Sequence, residues 1–394
     1  MIIFGILDFH EFDYKTTTPL FFNQNILLLT TLCFVTHTTF YPSAIRSSSY
    51  LCVSSSTYLF IDSSSISLIS TSYLGSSKRT RMAHCLHPEK FFPVVKSVAL
   101  PKGSLTGKVA LVTGGGTGLG KAIATTFANL GASVAIAARR LDVLEKTANE
   151  IRTSTGGVCE PFQMDVKDPA KVAKAFDEVE KKLGHTPDIL INNAAGNFIM
   201  ATERLSPNAY GTIVDIVLKG TLHVTTELGR RCIQQKRGAS VLSITTLYAK
   251  SGAPFVVPSA VSKAGVENMT KSLAVEWAKH GLRFNAIAPG PIPTEGAFGR
   301  LFAGELKDSG EAMKSTVPVG RLGHPEEIAN LAAFMSSDFM SWMNGAIIDF
   351  DGGQQHIHHG SHMGQFLHEW DNEKWEETEN LIRGRTGKEK KSKL

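Results

Sequence analysis

The chain has 394 residues, 42% of them apolar, and a formal net charge of +5 at pH 7. That length holds two average domains, or one large α/β domain with appendages. The mild basic balance is not gathered into one long block, which speaks against a nucleic-acid partner and leaves room for an anionic small ligand. Five cysteines, Cys33, Cys52, Cys85, Cys159 and Cys232, show no CxxC pairing. They read as reduced thiols of an intracellular protein, not as a disulfide framework or a zinc site.

Residues 1–100 form a leader of different character. They are rich in Ser and Thr, nearly free of acids after Asp13, and without helical periodicity. The apolar run "NILLLTTLCFVTHTTF" is shorter than the roughly 20 residues a spanning helix needs, so no membrane span is predicted. No basic stretch precedes it, as a secretory signal would require. Two readings stay open: a mitochondrial presequence, or a product that begins at Met82. Either way the leader is expected to be disordered or removed.

From "GKVALVTGGG" onward, short β-branched runs alternate with amphipathic helical stretches. The runs are "KVALVTG", "SVAIAAR", "CEPFQMD", "DILINNA", "SVLSIT", "RFNAIAPG" and "AIIDFDGG"; the helical stretches include "LDVLEKTANEI", "PAKVAKAFDEVEKKL" and "EEIANLAAFMSSD". Continuous apolar strands separated by helices predict a parallel sheet covered on both faces. Seven of them make one doubly wound α/β domain over residues 103–355. A tail over 356–394 follows, in which "WDNEKWEETENLIRGR" suits a short amphipathic helix.

The first strand runs into Gly114, Gly115, Gly116, Thr117, Gly118, Leu119 and Gly120, followed at once by a helix. Glycines let the backbone approach a pyrophosphate, and a helix N-terminus offers unpaired N–H groups to it. Between the first strand and first helix of an α/β pattern, this is a dinucleotide signature. An NAD site usually carries an acid at the end of the second strand. Here the strand ends in Arg139 and Arg140, a pair suited to a 2′-phosphate, so NADPH is expected. A solvated basic edge is the competing explanation.

Ligands of such sheets bind beyond the carboxyl ends of the strands. Tyr248 lies just past "SVLSIT" and should stand on that rim. Pro258 suits an early helical position, which sets Lys263 about a turn further in, with Ser259 below it on the same face. A loop of about nine residues lets that helix return beside its strand, so Tyr248 and Lys263 can meet.

Taken in order, "TGGGTGLG", "NNAAG", "PGPI" and "DGG" resemble the short-chain dehydrogenase/reductase superfamily, over residues 103–355. Most members place a tyrosine four residues before the lysine; here that slot is Ser259. The segments "NNAAGNFI", "ERLSPNAYGTIVDIVL", "TTLYAKSGAPFVVPSAVSKAG" and "PGPIPTEGAFGRL" are similar to mitochondrial-type 2,4-dienoyl-CoA reductases, which carry the functional tyrosine on the loop where Tyr248 stands. The resemblance implies hydride delivery from NADPH to C5 of a trans-2,4-dienoyl-CoA and a trans-3-enoyl-CoA product, in β-oxidation of unsaturated fatty acids. It implies Tyr248 and Asn197 as donors to the thioester oxygen, Lys263 on the nicotinamide ribose, and Ser259 in support. Asp165 would flank the adenine, and Pro289, Gly290, Pro291 and Ile292 the nicotinamide. Arg139, Lys167, Phe198, Ser206 and Arg300 match substrate-contact positions, with Lys167 standing where the resembling enzyme has arginine. A homotetramer is implied as well.

His356, His358, His359 and His362 could ligate a metal, but the chemistry needs none, and a structural or surface role is expected. The last residues, Ser392, Lys393 and Leu394, match a peroxisomal import address read by a receptor. The peroxisome is therefore the expected compartment, with the mitochondrion as alternative. Two other functions are the alternatives: a ketone or ketoacyl-thioester reductase, in which Thr246 and Ser259 would replace the usual hydroxyls, and a catalytically silent dinucleotide-binding protein.

Overall fold

A computed structural model describes residues 49–54, 57–61, 66–70, 88–294, 296, 313–314, 316–356 and 372–385. The chain divides into two compact units, 1–85 and 86–394. In the first, strands β1 (Ser49–Ser54), β2 (Thr57–Ile61) and β3 (Ile66–Ser70) pair antiparallel in that order. Met82 lies outside the described residues.

The second unit is built on seven parallel strands: β4 (Val109–Thr113), β5 (Ser133–Ala138), β6 (Cys159–Gln163), β7 (Ile189–Asn192), β8 (Ala239–Ile244), β9 (Leu282–Pro289) and β10 (Ile347–Phe350). Their order across the sheet is β6-β5-β4-β7-β8-β9-β10. The first three strands run outward in one direction, and the chain then crosses back to place β7 on the free side of β4. This is the sheet expected from sequence. Every residue of β4, β7 and β8 is buried, because helices cover both faces.

On one face, α1 (Gly118–Asn129), α2 (Leu141–Thr155) and α8 (Pro325–Ser336) bury Ile123, Phe127, Leu144, Ile151 and Ile328 against Val112 and Ile136. On the other, α3 (Pro169–Leu183), α5 (Gly220–Gln235) and α7 (Val257–Glu276) bury Phe176, Val224, Leu228 and Ala274 against Leu111 and Phe284. The ends of α3 follow from local chemistry. Asp168 caps it by accepting from Ala170 and Lys171 N–H, Pro169 opens it, and Gly184, at φ +97°, closes it. The run from α4 (Pro207–Val214) into α5 passes through one π-helical turn, Asp215–Lys219. Cys159 and Cys232 sit inside the core, where burial pushes their thiols up to about 12 and about 11.

Three features differ from the sequence expectation. Residues 86–100 belong to the second unit, so the boundary expected at residue 100 lies earlier: Asn330 bonds Ala99 N–H and Ser97 C=O, and Arg321 Nε donates to Phe92 C=O at 2.6 Å. The stretch after β8 is not a plain loop, since Tyr248–Ser251 forms a helical turn, α6, ended at Gly252 with φ +68°. The tail contains the anticipated helix, α9 (Asn372–Arg385), but it is not a free appendage, because Trp375 and Thr378 are buried. Among the described residues, no helix is long and apolar enough to cross a membrane, and no cluster of His, Cys, Asp or Glu could hold a metal. His356 is exposed at the end of the short turn Gln354–His356; His358, His359 and His362 lie outside the described residues.

Candidate active site

The strand order reverses between β4 and β7, and a cleft of about 420 Å³ opens beyond their carboxyl ends. Two neighbouring strand ends are stitched together there. Thr113 Oγ1 accepts from the N–H groups of Asn193 and Ala194, and Asn193 Nδ2 donates to the carbonyls of Thr113 and Gly114. Asn193, the second residue of "NNAAG", has no role among the sequence expectations. Its signal was an amide following a buried strand, where an unpaired backbone carbonyl needs a donor.

The glycine-rich turn fits a pyrophosphate by exclusion of side chains. A Cβ on Gly120 would stand 2.3 Å from Gly114 C=O and 2.6 Å from Asn193 Nδ2, and Gly114 and Gly118 both have positive φ. Thr117, at the N-cap of α1, makes no side-chain capping bond, so the first N–H groups of α1 face the cleft without one. Gly114, Thr117, Gly118, Leu119 and Arg140 line the cleft. Gly115, Gly116 and Gly120 support the turn from behind, packed on Ile136, on Leu144 with Val143, and on Gly114 respectively. Arg139 is exposed and not among the lining residues; its carbonyl accepts from Gln163. Asp165 lies two residues past β6 and accepts from Lys167 N–H at 3.1 Å.

Across the cleft stand Asn197, Tyr248, Ser259 and Lys263 together, with Pro289, Gly290, Pro291 and Ile292 on the adjoining wall. Asn197 Oδ1 accepts from Phe198 N–H at 2.9 Å, which commits its oxygen and leaves the amide nitrogen as a donor for a ligand. Tyr248 comes from the first position of α6, Lys263 and Ser259 from the buried face of α7. The lysine ammonium donates to Ile244 C=O at the end of β8. Burial pushes that ammonium down to about 8, while the Glu267 carboxylate one turn along the helix holds it up. Glu267 is itself buried, accepts from Thr245 Oγ1 at 2.9 Å, and is raised above the usual carboxylate range chiefly by desolvation. Neither Thr245 nor Glu267 was singled out from sequence.

Among the described candidates, Ser206, Lys167 and Phe198 do not line the cleft. Ser206 is exposed and caps α4 by accepting from Ala209 N–H, and Lys167 is exposed. Phe198 packs into an apolar cluster with Met200, Leu205, Phe255 and Trp375. Arg300 and the terminal Ser392, Lys393 and Leu394 lie outside the described residues.

A family model described as enoyl-(acyl carrier protein) reductase matches residues 114–355. The chain is 96% identical over 313 residues to an uncharacterized oxidoreductase of Caenorhabditis elegans, covering 79% of this chain and 100% of that protein. It is 72% identical to a probable (3E)-enoyl-CoA-producing 2,4-dienoyl-CoA reductase of the same organism, covering 78% of this chain and 99% of that one. Among solved structures, a putative 2-deoxy-D-gluconate 3-dehydrogenase from Agrobacterium tumefaciens with bound NADP is similar at 35% identity and a TM-score of 0.58, covering 65% of this chain and 99% of that one.

Proposed function

We propose, from the premise that this chain belongs to the short-chain dehydrogenase/reductase family, that it is an oxidoreductase reducing trans-2,4-dienoyl-CoA thioesters with NADPH. One observation carries the reading. Two hydrogen-bond donors from different strand ends, the Tyr248 hydroxyl and the Asn197 amide, share a cleft with Lys263, while the position four residues before that lysine is a serine. A nicotinamide dinucleotide fits the remainder of the cleft, because the turn has no room for a Cβ at Gly115 or Gly120 and takes positive φ at Gly114 and Gly118.

When bound, NADPH supplies the hydride that goes to C5 of the diene. The chain's own residues then handle the charge, which moves through the conjugated system onto the thioester oxygen. Tyr248 and Asn197 donate to that oxygen, and fixed donors placed before charge develops need no reorganisation at the moment of reaction. A dienolate is far less basic than the alkoxide formed in ketone reduction, so donation without full proton transfer is sufficient. This is why the tyrosine can leave the helix of Lys263. A proton from solvent at the α-carbon completes a trans-3-enoyl-CoA. Lys263 holds the nicotinamide ribose with its ammonium, and Ser259 extends that hydrogen-bond network. Arg140, with Arg139 beside it, is assigned to the 2′-phosphate, and Asp165 to the adenine.

On the substrate side, Arg300 and Arg139 are assigned to the CoA portion and Phe198 to the acyl chain, with Lys167 and Ser206 at flanking positions. We place the reaction in β-oxidation of unsaturated fatty acids. The terminal Ser392-Lys393-Leu394 supports peroxisomal import through a receptor, with a mitochondrial site as alternative, and a homotetramer is the assembly that the family resemblance supports.

The test compares substrates. Purified protein with NADPH should bleach the absorbance of a trans-2,4-dienoyl-CoA and leave a 3-ketoacyl-CoA nearly untouched. Faster reduction of the ketoacyl thioester would replace this reading with the ketone-reductase one, and no turnover of either would favour a silent binding protein.

A further inference from the structure

The tail helix α9 lies against the two segments that carry the proposed donors, although it is far from both in sequence. Its residues Trp375, Thr378 and Ile382 recur at i, i+3 and i+7 and so share one face. Trp375 packs with Phe198, Met200, Ala201 and Leu205, just after Asn197, and meets the Phe255 ring edge-on with centroids 4.7 Å apart. Ile382 packs into a second cluster with Ile199, Val256 and Tyr248 itself. Arg204 adds an ion pair to Glu379 at 3.6 Å.

Phe255 is the unusual member of this arrangement. Its φ of +65° lies in the left-handed region, which a bulky residue adopts only where its surroundings hold it there. In that conformation its carbonyl accepts from Met200 N–H at 2.9 Å. This bond joins the Asn197 segment directly to the Tyr248 segment, three residues beyond one donor and seven beyond the other. Trp375 covers both sides of the junction.

We propose that α9 is a clamp and Trp375 a positioning residue. By holding Phe255 in its left-handed conformation, Trp375 fixes the Met200–Phe255 hydrogen bond and with it the spacing between the Asn197 and Tyr248 donors. The catalytic part of this proposal rests on the reading of those two groups as oxyanion donors; the structural part does not. A donor pair loosened by a fraction of an ångström still binds substrate but stabilises the charged intermediate less well, so kcat falls while KM changes little.

Two readouts on the full-length protein separate the parts. In Trp375→Ala, hydrogen exchange at the Met200 amide should rise at least tenfold, with the amides of β4 unchanged. With trans-2,4-dienoyl-CoA and NADPH, kcat should drop roughly tenfold at near-constant KM for both substrates. Trp375→Phe should restore protection and turnover, and Trp342→Ala, at a fully exposed tryptophan, should disturb neither. If Trp375→Ala does not fold, Ile382→Ala must show the same changes in smaller measure. Unchanged exchange at Met200 overturns the clamp. Faster exchange with undiminished kcat overturns its catalytic role. Faster exchange in a protein whose wild type reduces no dienoyl-CoA leaves the clamp standing and removes the substrate reading instead.

Discussion

The two walls of the cleft are built in opposite ways. The cofactor wall comes mainly from one continuous stretch, Gly114–Gly120, whose shape is enforced by contacts that leave no space for a Cβ at Gly115 and Gly120. The substrate wall is assembled from three distant pieces, the segments around Asn197 and Tyr248 and the helix α9 behind them, joined by the Met200–Phe255 backbone hydrogen bond, apolar packing and the Arg204–Glu379 ion pair. A local constraint is either present or broken. A long-range assembly can loosen by degrees, and its defects should appear in turnover before they appear in folding.

The cofactor wall should therefore fail outright. Gly120→Ala sets a methyl group against Gly114 C=O and Asn193 Nδ2. It should destabilise the protein by about 3 kcal/mol, the upper part of the usual overpacking range, and abolish NADPH binding, checked by thermal unfolding with and without NADPH. A variant that binds NADPH normally would mean the turn has slack that the contact distances deny. A single charged contact should matter less. Arg140→Ala should weaken NADPH roughly tenfold to a hundredfold, the equivalent of one charge-assisted bond, and leave NADH affinity nearly unchanged. Equal losses for both cofactors would remove Arg140 from the 2′-phosphate.

The smallest effect separates the walls by pH. Lys263 titrates lower in the folded protein than a free lysine because it is buried, so it is charged below about 8 and neutral above. If its ammonium holds the nicotinamide ribose, activity should persist below that value and fall as pH rises through it. The Glu267 carboxylate favours the charged form, so Glu267→Gln should move this alkaline limb to lower pH. A profile of kcat/KM against pH reads this, and a limb that stays in place would exclude Glu267 from tuning the lysine.

How much was legible in the sequence follows the same division. All seven strands of the second unit and the glycine turn could be read, because each depends on neighbours within a few residues; of the arginine pair, Arg140 lines the cleft and Arg139 does not. The cleft also gathers Asn197, Tyr248, Ser259 and Lys263, which the motifs named. The helical turn at Tyr248–Ser251 was not legible: its signal is backbone bonding such as Gly252 N–H to Tyr248 C=O, in a stretch whose glycine and proline suggest a loop. Glu267 carries no local signal, since its partner Thr245 lies 22 residues earlier and meets it only in the fold. Trp375 sat in an acidic segment with no hint that its partners lay more than 100 residues earlier. The capping of α4 by the Ser206 hydroxyl, accepting from Ala209 N–H, went unread beside the substrate position that the resemblance implies for this residue.

The central claim is that the Tyr248 hydroxyl and the Asn197 amide jointly stabilise the charge that hydride addition leaves on a dienoyl thioester. The most direct test is single-turnover reduction of trans-2,4-dienoyl-CoA by wild type, Tyr248→Phe and Asn197→Ala, each with its NADPH affinity measured alongside. Each substitution should slow the chemical step by about 10²-fold, the loss of one oxyanion donor, with NADPH binding unchanged. A chemical step of wild-type speed in both variants would contradict it.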